Sequence, residues 1–431
     1  MPTSPLAQPL ALPGGAVLSN RIVKAAMSEG FADPNGHATP RLERLYRRWA
    51  GSGAGLLLSG NIQVDPWHLE RPLNVVLADD SGLPALAAMA AAGKAEGASF
   101  WAQLSHTGRQ VSDLINPAPL SPSDVELEVM RGAGFSFARP RPMSEADIAR
   151  TIGQFATTAR LAKAAGFDGV QLHAAHGYLF SQFLSPLANR REDAWGGSLR
   201  NRARFLLETI AAVRVAVGPG FPIGIKLNAS DFQKGGFTNA ECLTLVEWLN
   251  DSSLDLLELS GGSLEQPKVV GVALRDEGED APRPSTVARE AYFVAFAGAV
   301  RAAAKMPVLV TGGFRTASVM ADALEAGELD LVGIGRPLIA DPRAAARLLS
   351  GDAERVDAAE GRVGLLHILP WFNMQLERLA DGLEPDLTLA GEAAAEAFAP
   401  LEADNFRRLL AARADAGQTP PSADRAPADC A

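Results

Sequence analysis

The chain is expected to fold as an α/β protein, a (β/α)8 TIM barrel with long loops at the C-terminal face and a helical C-terminal extension. Three features predict it. Eight short apolar runs end in small or polar residues, helical patterns fill most of the gaps between them, and the longest gaps all follow strand C-termini. The expected strands are 21–28, 55–61, 99–106, 169–174, 223–228, 256–261, 308–313 and 331–337. Helices between successive strands imply parallel pairing, because a parallel connection needs a crossover. Eight such units close a barrel, for which about 250 residues is usual. An open, doubly wound sheet is the alternative.

The helices are justified one by one. Residues 40–53 carry Leu42, Leu45, Tyr46 and Trp49 at helical spacing. Residues 144–166 begin with a capping pattern, Ser144 followed by Asp147, and end at Gly166. The stretches 201–217, 238–251, 289–305 and 317–327 follow the later strands. Long connections at 107–143, 177–200 and 262–288 leave from the face where barrel active sites assemble. The last, with Asp276, Glu277, Glu279 and Asp280, has the charge of a mobile lid. Residues 1–378 are assigned to the barrel and 379–431 to the extension. Within the extension, 390–412 is Ala/Glu-rich and suits one or two helices. Residues 415–431, with Pro420, Pro421 and Pro427, are expected to be disordered.

Composition excludes several classes of function. The 431 residues are 47% apolar and 21% charged, ordinary globular usage. A net charge of −10 argues against a nucleic-acid partner. The two cysteines, Cys242 and Cys430, cannot build a disulfide framework, a zinc ribbon or an iron–sulfur cluster. The N-terminus has no basic segment before an apolar core, and no run of about 18 apolar residues appears. A cytoplasmic protein without a membrane partner is expected.

Candidate chemistry sits at the strand ends. Strand four runs Gly-Val-Gln-Leu-His173 and continues Ala-Ala-His176-Gly-Tyr178. One turn there brings both imidazoles to one side. Two N–H donors converging on one oxygen would polarise a carbonyl, and a tyrosine is a proton donor at neutral pH. No Ser-His-Asp nucleophile is evident, so a bound redox cofactor would have to deliver electrons. The rival reading is a metal site, with His106 or Asp231 as third ligand.

Strand seven ends Thr-Gly312-Gly313-Phe-Arg, and strand eight ends Gly333-Ile-Gly335-Arg336-Pro. Barrels commonly bind phosphate between these two loops, where glycines let backbone amides approach closely. Arg336 adds a forked cationic donor. Gln103 ends strand three with a donor and an acceptor suited to the edge of a heterocycle. Lys226, in buried strand five, needs a partner. A reduced flavin is one candidate; a carboxylate such as Asp231 or Glu258 is the other.

The stretch Gly166-Phe-Asp-Gly-Val-Gln-Leu-His-Ala-Ala-His-Gly-Tyr-Leu resembles the central motif of the Old Yellow Enzyme family, the NAD(P)H:flavin oxidoreductases. Phe183-Leu-Ser-Pro, Asn189, Arg191, Asp193, Gly196-Gly197-Ser198 and Asn201-Arg202 continue it. Asn20-Arg21-Ile-Val-Lys-Ala-Ala-Met-Ser resembles the family's first strand. Gln103-Leu-Ser-His-Thr-Gly-Arg109 and Gly335-Arg336 resemble its third and eighth. The likeness runs from about Leu10 to Pro342.

The resemblance implies an FMN enzyme that uses NADPH or NADH to reduce activated C=C bonds of small electrophilic alkenes. It implies that His173 and His176 hold the substrate's carbonyl or nitro oxygen, that flavin N5 gives hydride to Cβ, and that Tyr178 protonates Cα. It implies an FMN site built from Ala25, Ala26, Met27, Ser28, Gly60, Gln103, Lys226, Gly312, Gly313, Gly335 and Arg336. No metal is expected.

Some residues depart from the family pattern. Ala26 stands where many members have Pro, Ser28 where Thr or Cys is usual, and Lys226 where Arg is commoner. Ser59-Gly60-Asn61 and His68-Leu-Glu-Arg-Pro72 suggest a separate branch of the family. The cysteine-ligated cluster of larger relatives has no counterpart, which disfavours dienoyl-CoA and trimethylamine chemistry. Rival functions are a phosphate-binding barrel lyase or isomerase and a non-catalytic flavin-binding redox sensor. The extension could serve a homo-oligomer interface.

Overall fold

The computed structural model describes residues 4–127, 136–266 and 294–420. Eight parallel strands close a barrel in sequence order. They are β1 (Ile22–Lys24), β2 (Leu56–Gln63), β3 (Ser99–Ser105), β4 (Gly169–Ala174), β5 (Ile223–Asn228), β6 (Leu256–Ser260), β7 (Val308–Thr311) and β8 (Leu331–Ile334). All eight expected strands are present, and β8 pairs with β1 to complete the closure. Nearly every strand residue is buried, as the unbroken apolar runs require. The open-sheet alternative is thereby excluded.

The main outer helices are α1 (Pro40–Ala50), α2 (Leu83–Gly93), α3 (Glu145–Ala164), α4 (Leu179–Leu184), α5 (Leu199–Val217), α6 (Asn239–Leu249), α7 (Val294–Ala303) and α8 (Ala317–Glu325). Helix α3 starts with the expected capping box. The Ser144 side chain accepts the Asp147 amide, and Asp147 accepts the Ser144 amide. Helix α2 is absent from the sequence reading. Its Leu-Pro-Ala-Leu-Ala-Ala-Met-Ala-Ala-Ala-Gly has no polar stripe to set against an apolar one.

Side chains fill the barrel floor. Trp101 packs there with Val23, Leu56, Leu58, Leu256, Leu309 and Leu331. A Cβ on Gly169 would lie 2.6 Å from the Trp101 ring, so the neighbouring strand must carry glycine to admit the indole. The hairpin formed by Leu10–Ala11 and Val17–Leu18 closes the floor, adding Leu12 and Leu18 to this cluster. The opposite end, where the strands finish, is left to polar side chains.

After β8 come α9 (Pro337–Ala340), α10 (Ala344–Ser350), α11 (Glu360–Val363), α12 (Ile368–Ala380) and α13 (Gly391–Asp415). The Ala/Glu-rich stretch is thus one helix of 25 residues with Pro400 inside it. It also takes up Asp415, the first residue of the tail expected to be disordered; 421–431 lie outside the described residues. The expected lid falls mostly outside them too, from 267 onward, as does the start of the 289–305 helix. No helix among the described residues is long and apolar enough to cross a membrane.

Helix α13 folds back over the barrel's upper rim. Arg71, in the loop after β2, pairs with Glu402 at 2.8 Å. Arg413 lies over the Trp67 ring, 4.1 Å from its centroid, and donates to the Ile115 carbonyl at 3.1 Å.

Candidate active site

The C-terminal end of β4 brings His173, His176 and Tyr178 together. His173 Nε2 lies 3.1 Å from His176 Nδ1. The Tyr178 ring meets the His173 ring edge-on, with centroids 4.8 Å apart. A tight turn makes this possible. His176 has φ +62° and Gly177 φ +77°, so the chain doubles back directly after the strand. A left-handed conformation at a histidine costs about 1–3 kcal/mol, and the surroundings hold it in place. The His176 amide donates to Asn228 Oδ1 at 3.1 Å, and its carbonyl accepts from Gln110 Nε2 at 3.1 Å.

The outer nitrogens face serine hydroxyls. His176 Nε2 is 2.7 Å from Ser260 Oγ at the end of β6. His173 Nδ1 is 3.4 Å from Ser105 Oγ at the end of β3. Burial lowers the pKa of His173 well below the usual histidine value, with His176 and the Lys226 ammonium adding to it. Burial and Lys226 do the same for His176. Both imidazoles are neutral at physiological pH. Burial raises the Tyr178 pKa well above 10, and the Glu70 carboxylate raises it further, so the phenol keeps its proton.

The remaining candidate residues ring the same mouth. Residues 25–28 follow directly on β1. Gln103 Nε2 donates to Gln171 Oε1 at 2.8 Å, and Gln171 Nε2 to Glu258 Oε2 at 2.7 Å. Lys226 Nζ completes this chain, 3.0 Å from Glu258 Oε1. The register sets Glu258 directly beside Lys226, so the carboxylate partner is Glu258. Asp231 instead accepts the Phe237 amide at 2.9 Å.

Gly60 sits where the β2–β3 register shifts. Its amide is committed to Glu29 Oε1 and Tyr46 Oη, and a Cβ there would meet Glu29 and the Met27 carbonyl. Glycine is therefore needed to seat Glu29 beneath residues 25–28.

The glycine turns fit a phosphate. Gly312 and Gly313 have φ +135° and +86°. A Cβ on Gly333 would lie 1.9 Å from Thr311 Oγ1, so β7 and β8 approach closely only because it is absent. Arg315 pairs with Glu360, and Arg336 Nη2 lies 3.7 Å from the same carboxylate. Arg315 and Arg336 thus bring two guanidinium groups, the donors that pair best with a phosphate, to the turns after β7 and β8.

His106 and Asp231 do not join the histidine pair as ligands. Among the described residues, the group of three potential metal ligands is Asp65, His68 and His106. The His68 ring stacks on His106 with centroids 4.0 Å apart. His68 Nδ1 lies 2.8 Å from Asp65, and its Nε2 accepts the Leu120 amide at 3.0 Å. His106 Nδ1 accepts the Gly108 amide at 3.0 Å, which puts its proton on Nε2. A hydrogen bond joins His68 to Asp65 and ring stacking joins His106 to His68, while His106 Nε2 has no hydrogen-bond partner among the described residues.

Sequence reasoning missed several side chains here. Lys24 is wholly buried, 4.3 Å from the Trp49 ring centroid, and donates to the Ala25 and Leu58 carbonyls. Desolvation lowers its pKa to about 8. The signal was available, since a lysine in a buried strand always needs partners. Ser105, Asn228 and Ser260 gave no such signal. They matter only through the register of neighbouring strands.

A closed barrel with two neutral imidazoles, a protonated phenol and a cationic glycine cradle at its mouth defines a cofactor-dependent oxidoreductase of the flavin-barrel class. The chain belongs to the NADH:flavin oxidoreductase / NADH oxidase family, whose model matches residues 5–354. It is 37% identical over 363 residues to an NADH-dependent flavin oxidoreductase of Aspergillus parasiticus, covering 81% of this chain and 79% of that one. It is 36% identical over 356 residues to one of Neonectria sp., covering 78% of this chain and 46% of the relative.

Among solved structures, morphinone reductase superposes with a TM-score of 0.68 at 27% identity, over 83% of this chain and 92% of that one. A complex of 2-naphthoyl-CoA reductase gives 0.74 at 26%, over 91% of this chain and 58% of the other. The chain therefore spans about half the length of some relatives and most of others. The expected Old Yellow Enzyme likeness, with flavin and NAD(P)H as the redox partners, is borne out at the level of the family.

Proposed function

We propose that this protein uses NAD(P)H to reduce activated C=C bonds of α,β-unsaturated carbonyl or nitro compounds. Bound FMN would supply the hydride, having received it from the nicotinamide. Arg336, Gly312, Gly313 and Gly335 would hold its phosphate end. Residues 25–28, Gln103 and Lys226 would line its ring.

The observation that carries this reading is the 3.1 Å approach of His173 Nε2 to His176 Nδ1 beside Tyr178. A neutral imidazole has a single N–H. With the Ser105 and Ser260 hydroxyls donating to the outer nitrogens, both N–H groups lie on the inner pair. An oxygen seated between them accepts two hydrogen bonds. Those bonds strengthen as negative charge moves onto the oxygen, which lowers the barrier to attack at Cβ. Without such an oxygen, one inner nitrogen accepts from the other. Tyr178, on the same wall, keeps its proton until carbanion character appears at Cα and then gives it up.

The test is a pair of single-turnover experiments without oxygen. NADH or NADPH is expected to bleach the flavin. Cyclohexenone or a nitroalkene is then expected to restore its colour and yield the saturated product. Colour restored only by oxygen would contradict the reading and favour a sensor or oxidase. A colourless protein that cannot take up FMN would favour a phosphate-binding lyase.

A further inference from the structure

We propose that helix α13 is a strut for the histidine pair: it seats the loop after β3 so that Gln110 holds His176 in place. This rests on the preceding reading, in which His176 receives the substrate oxygen. Helix α13 (Gly391–Asp415) begins well after residue 354, where the family match ends.

The contact with the pair is direct. Gln110 Nε2 donates to the His176 carbonyl at 3.1 Å. A Cβ on Gly177 would lie 2.5 Å from Gln110 Oε1, so this amide packs against the turn itself. His176 sits at φ +62°, a conformation that a histidine keeps only when its surroundings insist on it. Its amide is tied to Asn228 at the end of β5, a barrel strand. Its carbonyl is tied to Gln110, which stands on a loop. The second tie is only as firm as that loop.

Helix α13 makes the loop firm. Val111, next to Gln110, is wholly buried. It shares an apolar cluster with Ile115 of the same loop, with Leu69 and Leu73 of the loop after β2, and with Leu409 of α13. Phe406 packs against the same cluster. Arg413 donates to the Ile115 carbonyl at 3.1 Å and also to the Pro66 carbonyl. Phe406, Leu409 and Arg413 are spaced by three and four, so one face of the helix meets both loops. Asn116 Nδ2 joins the loops to each other, donating to the Trp67 carbonyl at 3.1 Å.

Losing that face would uncover Val111 and Ile115 and free Gln110 to leave the His176 carbonyl. The turn could then relax out of its left-handed conformation, and the two imidazoles would no longer converge on one oxygen. Gln110, Leu409 and Arg413 act through His176, so they are positioning residues.

A double-mutant cycle on the holoenzyme tests this, with phenol binding read in the flavin absorbance spectrum. Gln110→Met keeps the length of the side chain and removes its donor, and phenol affinity should fall by about tenfold. Leu409→Ala and, separately, Arg413→Gln should each weaken phenol severalfold and leave FMN affinity as it was. In the Gln110→Met background the same two substitutions should add nothing, because their effect passes through a bond already lost. A general loosening of the fold would give additive losses instead. Unchanged phenol affinity in any folded single variant, or additive losses in the double variants, would overturn the proposal. A wild-type flavin spectrum unmoved by phenol would overturn the reading beneath it.

Discussion

Tyr178→Phe is expected to slow alkene protonation by about 10²–10⁴-fold while leaving reduction of the flavin by NAD(P)H near its wild-type rate. The asymmetry follows from the site. Hydride transfer into the flavin calls for no proton from Tyr178, whereas Cα becomes basic only after hydride reaches Cβ. The phenol is suited to that moment because burial and the Glu70 charge keep it protonated. Phenylalanine keeps the edge-on contact with His173, so packing changes little. Stopped-flow absorbance of the flavin reads the two half-reactions separately. Equal loss in both would show that Tyr178 does something other than donate a proton.

The second large effect concerns stability. Burial is the main cause that lowers the pKa values of His106 and His173 well below the ordinary histidine value. In the unfolded chain each would titrate near about 6.5. Below that pH the unfolded state binds protons that the folded state refuses, so stability falls as pH falls. Each group costs up to about 1.4 kcal/mol per pH unit, the full slope being reached only well below about 6.5. Between pH 6.5 and 5.5, where the unfolded imidazoles go from half to nearly fully protonated, the two together cost about 2 kcal/mol. Asp65 has the opposite charge but the same consequence at lower pH. Burial pushes its pKa up, but His68 and the other groups around it outweigh burial and hold it below the usual carboxylate range, so its contribution is lost only in stronger acid. Urea midpoints at pH 7.5, 6.5 and 5.5 should fall gently over the first interval and more steeply over the second. A flat profile down to pH 5.5 would mean that these imidazoles are not buried as described.

These cases also show what the sequence made legible. The strands were readable because a parallel barrel strand is buried on both faces, giving an unbroken apolar run that ends in a small or polar residue. Helix α3 was readable from Ser144 and Asp147, which cap it as expected. Helix α2 was not, because an Ala-rich segment apolar on all sides has no stripe to detect.

At the site, the motif after β4 placed His173, His176 and Tyr178 on one turn, and the structure brings all three together. What joins them to other strands was not legible. Ser260 reaches His176 from β6, and Glu258 rather than Asp231 takes Lys226, through register alone. His106 belongs with His68 and Asp65 because the loop after β2 folds back over β3, a tertiary fact with no local signature.

The central claim is that the two imidazoles lie over the ring of a bound flavin and act together on one oxygen. A phenol titration followed in the flavin absorbance spectrum tests it most directly. The wild-type holoenzyme should show a saturable spectral change. His173→Ala should weaken the affinity by about 10²-fold or more, in line with losing one converging donor. A flavin spectrum unmoved by phenol, or a phenol affinity unchanged in the variant, would contradict the claim.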